Sequence, residues 1–278
     1  LPKETLDMPE APEVAHIVNQ LEDFRISSKK NKTLIRIQVI GGRYSRHGIP
    51  DNWETFSYNL PLEWVSVNFK GKFIYFTFKN KYKDRFYIWN TLGMTGRWSF
   101  RKNKHAHVVL EFLKGKSLYF IDQRCFGTFN FCFKEEEMKQ KLETIGDSWL
   151  IGKEVPCKIA VNRDNFLNKL EDFPKLNICK FLTNQNIFSG IGNYLLSEIL
   201  HDAQINPFKN VEELSVDEQT NLYESIRKII LNSYVVDGVS ISNYCGLDDE
   251  KGEYQNNLKV YGKKELRVEG PHGRSLFT

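Results

Sequence analysis

Apolar positions follow two different periods along this chain. From residue 33 to about 133 they cluster in short runs rich in β-branched and aromatic residues: TLIRIQVI, SVNFKGKFIYFTF, RFYIWNTL and HVVLEFL-KGK-SLYFID. Such runs predict strands, with Lys-Gly-Lys turning the last pair into a hairpin. Ahead of them Val14, Ile17, Val18 and Leu21 recur at i, i+3, i+4, i+7, the buried face of a leading helix. Pro9 and Pro12 suit its entry, Pro12 as first helical residue. Beyond Phe133 the period lengthens to about 3.6. A charged helix KEEEMKQKLETIG is followed by one whose face carries Leu195, Leu196, Ile199, Leu200 and Ala203. Ser215 and Glu218 form a capping box for a further helix through Leu222, Ile226, Ile229 and Ile230. The tail from Gly238 is Gly/Asp/Asn-rich and ends in a short hairpin. The pattern predicts an α+β protein, β-rich first and helical second, with the change at residues 132–136.

Composition narrows the classes. At 278 residues, 41% hydrophobic and 27% charged, the chain can bury the core of one large or two ordinary domains. No apolar run approaches the roughly 18 residues of a membrane span, and LPKETLD lacks the apolar centre of a signal peptide. Five cysteines, at 125, 132, 157, 179 and 245, are odd in number and never in a C-x2-C pair. That argues against a disulfide framework or zinc site and for a reducing, intracellular compartment. A net charge of +4 tilts toward an anionic partner without deciding it.

Six segments stand out: MPEAPEV at 8–14, FKGKF around Lys72, LGMTG at 92–96, DQRCFG at 122–127, FSGIGNYLLSEIL at 188–200 and GPHGRSLF at 270–277. Each alone is unremarkable. Lys72 is one strand lysine among many, Met94 reads as core, and SGIGN is a glycine turn feeding a helix with Asn193 as cap. The functional alternative for SGIGN is that the first N–H groups of YLLSEIL hold a phosphate.

Taken in order, the segments resemble the Fpg/Nei family of DNA glycosylases (formamidopyrimidine-DNA glycosylase and endonuclease VIII), over nearly the whole chain from Met8. The resemblance implies two domains. Residues 8–133 would form a catalytic β-sandwich with the leading helix. Residues 134–278 would hold a helix-two-turn-helix and, from about 258, a terminal hairpin, with 1–7 an extension before the mature start. It implies base excision repair: removal of an oxidised base through an imine on an N-terminal proline, then strand cleavage by β,δ-elimination. Pro9 becomes the nucleophile, Glu10 the general acid, Lys72 a phosphate contact that assists, and Glu13 a support for the terminus. An internal proline nitrogen is an amide and cannot attack carbon, whereas a terminal one is a secondary amine titrating near 8. Met94, Arg124 and Phe126 would fill the space left by an everted nucleotide. Asn193, Arg274 and Lys180 would hold phosphates. The partner is damaged double-stranded or partly single-stranded DNA, met by a monomer, with no cofactor or metal.

Departures from the family pattern are informative. The tail lacks the two C-x2-C pairs of many relatives, yet Gly273-Arg274 stands where a zinc-finger tip would carry its arginine. This resembles the zincless-finger, endonuclease VIII-like branch and sets an expectation of oxidised pyrimidines, with oxidised purines and formamidopyrimidines as the alternative, since GVSISNYCGLDDEKGEYQ is as long as the base-covering loop of purine-specific relatives. Seven residues before Met8 would leave Pro9 an amide unless removed. The rivals are therefore a catalytically silent protein that binds damaged or abasic DNA, and a general nucleic-acid-binding protein reusing the helix-two-turn-helix.

Overall fold

A computed structural model describes residues 9–113, 115–151, 158–236, 238, 246–248 and 254–278. The extension at 1–7, Met8, Cys157, Cys245 and most of the segment 238–255 lie outside the described residues.

Helix α1, Ala11–Ser27, buries Val14, Ile17, Val18 and Leu21 as their spacing predicts. It begins one residue earlier than expected, so Pro12 is its second residue and Glu10 its N-cap. The strands that follow are β1 Thr33–Val39, β2 Leu62–Lys70, β3 Phe73–Lys79, β4 Arg85–Thr91, β5 Gly96–Ser99, β6 Ala106–Phe112, β7 Ser117–Asp122 and β8 Thr128–Cys132. Two short helices, α2 Gly42–His47 and α3 Trp53–Tyr58, interrupt this run. At six residues each they are too short to show helical periodicity in the sequence.

All eight strands join one antiparallel sheet in the order β5-β7-β6-β1-β2-β3-β4-β8. Register shifts in β1, β2 and β6 bend it. Its two halves then face each other across an aromatic core: Trp64 of β2 stacks on Phe112 of β6 at 5.2 Å, Phe76 of β3 meets Trp98 of β5 at 5.4 Å, and Phe120 of β7 meets Phe129 of β8 at 4.9 Å. That is the sandwich expected of the first half.

Helices dominate the rest: α4 Glu135–Glu143, α5 Arg163–Asp172, α6 Ile178–Thr183, α7 Asn193–Asp202 and α8 Val216–Val235. The Ser215/Glu218 capping box is present, with Glu218 N–H on Ser215 Oγ at 3.2 Å and Ser215 N–H on Glu218 Oε2 at 2.8 Å. A terminal hairpin pairs Arg267–Glu269 with Ser275–Phe277. Helix α1 packs against β2 on one side and α8 on the other, so one continuous core runs through both halves. Its N-terminus is thereby held where the sheet meets α7. Among the described residues no helix is long and apolar enough to cross a membrane, and no group of His, Cys, Asp and Glu could hold a metal ion.

Candidate active site and nucleic-acid interface

The residues flanking the start of α1 converge with the first turn of α7. Ala11 N–H donates to the Gly190 carbonyl at 2.9 Å, fixing the chain entry against the SGIGN turn. The Glu10 side chain, only 2% exposed, points into that turn. Its oxygens accept from the backbone N–H groups of Gly192 at 2.5 Å, Tyr194 at 3.0 Å and Leu195 at 3.3 Å. The amides expected to hold a phosphate are therefore occupied by a carboxylate of the protein itself, and that expectation is corrected. Helix geometry supplies the same donors to either anion.

Glycine is required at 192. A Cβ there would lie 2.4 Å from Glu10 Oε1 and 2.6 Å from Lys72 Nζ, so the backbone, the acid and the lysine share one small space. Lys72 is not on a strand, as expected, but in the two-residue turn Gly71-Lys72 between β2 and β3. Gly71 N–H donates to Ser148 Oγ at 3.0 Å, which pins the turn to the second half. The Lys-Gly-Lys of residues 70–72 is the same turn signal as that at 114–116, and it marks this hairpin too.

Burial sets the protonation of this cluster. It pushes the Glu10 carboxyl up to about 7, with the negative charge of Glu13 adding to the rise, while Lys72 and the N–H groups of Gly192 and Tyr194 oppose it. Burial lowers the Lys72 ammonium, and Arg274 lowers it further against the attraction of Glu10. The result is an acid able to hold its proton near neutrality beside a lysine that sheds its own more readily than in water. Pro9 is buried and lines a cavity of about 330 Å³ together with Lys72, Leu92, Gly93, Gln185 and Asn186. Glu13 is fully buried, its Oε2 accepting from Glu10 N–H at 2.8 Å and its Oε1 from the Tyr194 hydroxyl at 2.8 Å.

Met94, Arg124 and Phe126 sit on two neighbouring loops. Met94 lies in the turn between β4 and β5, and the other two lie between β7 and β8. Gly93, at φ +63°, lets these loops touch: a Cβ there would fall 2.7 Å from Gly127 N. Asp122, fully buried, fastens them by accepting from Thr95 Oγ1 at 2.5 Å, Gly127 N–H at 2.7 Å and Arg124 N–H at 3.2 Å. Phe126 is 52% exposed, with the Arg124 guanidinium 5.4 Å over its ring. Cys125 between them takes φ +62° with Sγ 3.6 Å from His107 Nε2.

Asn193, the first residue of α7, joins that helix to the terminal hairpin. Its Nδ2 donates to the Ser275 carbonyl at 2.6 Å and its Oδ1 faces His272 Nε2 at 3.2 Å. Arg274 is exposed at the hairpin turn and Lys180 is exposed on α6. Both repel the proton of His272, whose ordinary pKa is lowered first by burial and then by these two cations. The hairpin is anchored by Glu198, whose carboxylate accepts from the backbone N–H groups of Lys259, Val260 and Tyr261 at 2.8–2.9 Å. Ser197 Oγ accepts from Phe277 N–H at 3.3 Å.

The sequence reading missed Asp122, Glu198, Tyr194 and His272 as individual residues. Asp122 and Glu198 stood in the DQRCFG and FSGIGNYLLSEIL segments, but nothing in the sequence marks either acid as buried. Tyr194 looked like one more apolar helix position.

A bent antiparallel sheet and a helical half that meet over two buried carboxylates and a lysine define the class, and comparison with known proteins gives the family. Residues 8–129 match the model of the formamidopyrimidine-DNA glycosylase N-terminal domain. The formamidopyrimidine-DNA glycosylase of Mycoplasma genitalium is 30% identical over 267 residues, covering 93% of this chain and 86% of that one. That of Oceanobacillus iheyensis is 30% identical over 272 residues, covering 95% and 90%. The fold is that of a Lactococcus lactis Fpg mutant solved with Fapy-dG-containing DNA, at a TM-score of 0.78 and 24% identity over 97% of each chain. The chain belongs to the formamidopyrimidine-DNA glycosylase family.

Proposed function

We propose that this protein is a bifunctional DNA glycosylase and AP lyase of base excision repair, with residues 8–133 and 134–278 working as two domains that close on damaged DNA. Support comes above all from one observation: the residue after Pro9 is a buried acid with its carboxyl raised to about 7, set beside Lys72. With Pro9 at a free terminus, its neutral nitrogen attacks C1′ of the deoxyribose. The bond from C1′ to the ring oxygen opens as Glu10 gives that oxygen its proton; the amine's own proton passes to the base, which departs with the electron pair of its bond to C1′, and an iminium joins C1′ to Pro9. The iminium acidifies the C2′ hydrogens, so β-elimination and then δ-elimination cut the strand. Lys72 neutralises the adjoining phosphate. Met94, Arg124 and Phe126 fill the gap in the stack, and Asn193, Arg274 and Lys180 hold the backbone around the everted nucleotide.

The substrate proposed is a ring-opened or oxidised purine. The names of the relatives favour formamidopyrimidines and do not support the oxidised pyrimidines expected from the cysteine-free hairpin, because a hairpin that grips phosphates carries no information about the base.

Borohydride trapping tests the reading. A chain beginning at Pro9, mixed with duplexes carrying formamidopyrimidine, 8-oxoguanine or an oxidised pyrimidine, should give a covalent adduct, fastest with the first. The same chain with Leu1–Met8 attached should give none. An absent adduct in both forms, with binding retained, would make the protein a damage sensor instead.

A further inference from the structure

Tyr194 touches both carboxylates of the site with different atoms. Its backbone N–H donates to Glu10 Oε1 at 3.0 Å, and its hydroxyl donates to Glu13 Oε1 at 2.8 Å. Glu13 in turn holds Glu10 N–H through Oε2 at 2.8 Å. We propose that Tyr194 is a positioning residue for the reaction: its hydroxyl fixes Glu13, and through Glu13 the peptide unit that joins Pro9 to Glu10. The inference rests on the catalytic reading above and names a residue that reading does not use.

The hydroxyl has one proton. A carboxylate can only accept, so that proton goes to Glu13, and Ser233 Oγ, 3.0 Å away, donates to the phenol oxygen. Tyr194 is 2% exposed and Glu13 and Ser233 are fully buried, so no water replaces a lost partner without rearrangement. Burial, then Glu13 and Glu10, keeps the phenol protonated well above its ordinary range, and it remains a donor at any working pH. The relay Ser233–Tyr194–Glu13–Glu10 thus ties α8 and α7 to the entry of α1. Its far end is the peptide whose other flank carries the attacking nitrogen. Reacting atoms tolerate little misplacement, and an ångström costs on the order of a hundredfold in rate.

The ring is held separately. It packs against Tyr254 and Tyr261 with centroids 6.3 and 6.2 Å away, so Tyr194→Phe removes the donor and leaves the packing. Without the donor, Glu13 takes up a proton more readily and holds Glu10 N–H more weakly. Loss of that neighbouring negative charge also lets Glu10 ionise more easily.

Single-turnover kinetics test this. Tyr194→Phe should slow base release roughly tenfold or more while affinity for abasic DNA stays within about twofold. The limb of the pH–rate profile governed by Glu10 should move to lower pH. Glu13→Gln should shift the same limb, and the double variant should lose no more than the worse single one. A Tyr194→Phe protein with wild-type base release and an unmoved limb would overturn the inference, as would losses that multiply in the double variant. The wild-type control separates the failures: an adduct in wild type with an unchanged variant refutes only the role of Tyr194, while no adduct in wild type refutes the glycosylase reading itself.

Discussion

The Glu10 carboxylate accepts a 2.5 Å hydrogen bond from the amide of Gly192, across 182 residues of sequence. This single contact joins the start of the first helix to the start of the seventh. It also places an acid on the positive end of a helix, where ionisation should be easy. Burial and the charge of Glu13 nevertheless dominate, and the carboxyl is raised rather than depressed. The fold thereby stores a proton beside the residue proposed to attack.

Glu10→Gln should abolish base release, with a loss on the order of 10²–10⁴-fold if general acid catalysis is its role. Affinity for lesion DNA should persist, because Arg274, Asn193 and Lys180 lie on other elements. In the wild type, the protonated fraction of Glu10 falls as pH rises through about 7, so the acid-dependent step slows above that point. Quench-flow measurement of base release from pH 5.5 to 9 checks both statements. Full activity in the variant would remove Glu10 from the mechanism.

The same shift predicts a pH-dependent stability. A carboxyl at about 7 when folded and 4.5 when unfolded binds protons more tightly in the folded state. Its stabilising contribution is complete below 4.5 and is lost as pH rises through 7. Glu10→Gln lacks this term and should gain on wild type by roughly 1–3 kcal/mol between pH 4.5 and 8. Urea denaturation at the two pH values gives the number. An unchanged difference would mean that Glu10 ionises normally.

How much of this was legible in the sequence depends on distance along the chain. The buried face of α1, the β-branched and aromatic runs of the strands and the Ser215/Glu218 cap are local patterns, and each appears in the structure where it stands in the sequence. The convergence of Pro9, Glu10, Lys72 and Asn193 was legible only through motif resemblance, since nothing local ties residue 10 to residue 192. What stayed hidden were acids working by long-range backbone contacts: Glu10 on the α7 amides, Asp122 on two loops, Glu198 on the hairpin. A sequence shows a carboxylate but not which amides it will meet. The helix-terminus phosphate site failed for that reason.

Asp122 offers a test of the loop pair carrying Met94, Arg124 and Phe126. Asp122→Ala leaves Thr95 Oγ1 and the N–H of Gly127 without their acceptor at a fully buried position, while Arg124 N–H keeps only Thr95 Oγ1 at 2.9 Å. The expected cost is about 2–4 kcal/mol of stability. Because the loops also separate, nucleotide eversion should slow. Fluorescence of 2-aminopurine placed opposite the lesion should rise more slowly in the variant. Equal eversion rates would mean that the two loops act independently of their fastening.

The terminal hairpin separates gripping from holding. Arg274 is exposed, and the turn uses only its carbonyl, which accepts from Gly270 N–H at 2.9 Å. Arg274→Ala should therefore keep the fold, weaken lesion-DNA affinity, and reduce the slope of log affinity against log salt by about one. Glu198 is 1% exposed and binds three consecutive amides of the segment leading into the hairpin. Glu198→Ala should lose affinity as well, but through detachment, with about 2–4 kcal/mol lower stability. Titrations at several salt concentrations alongside thermal melts tell the two apart. Should Arg274→Ala bind lesion duplexes as tightly as wild type at moderate salt, the hairpin is not the phosphate clamp, and the cationic group at Lys180 and Lys72 would have to carry the strand alone.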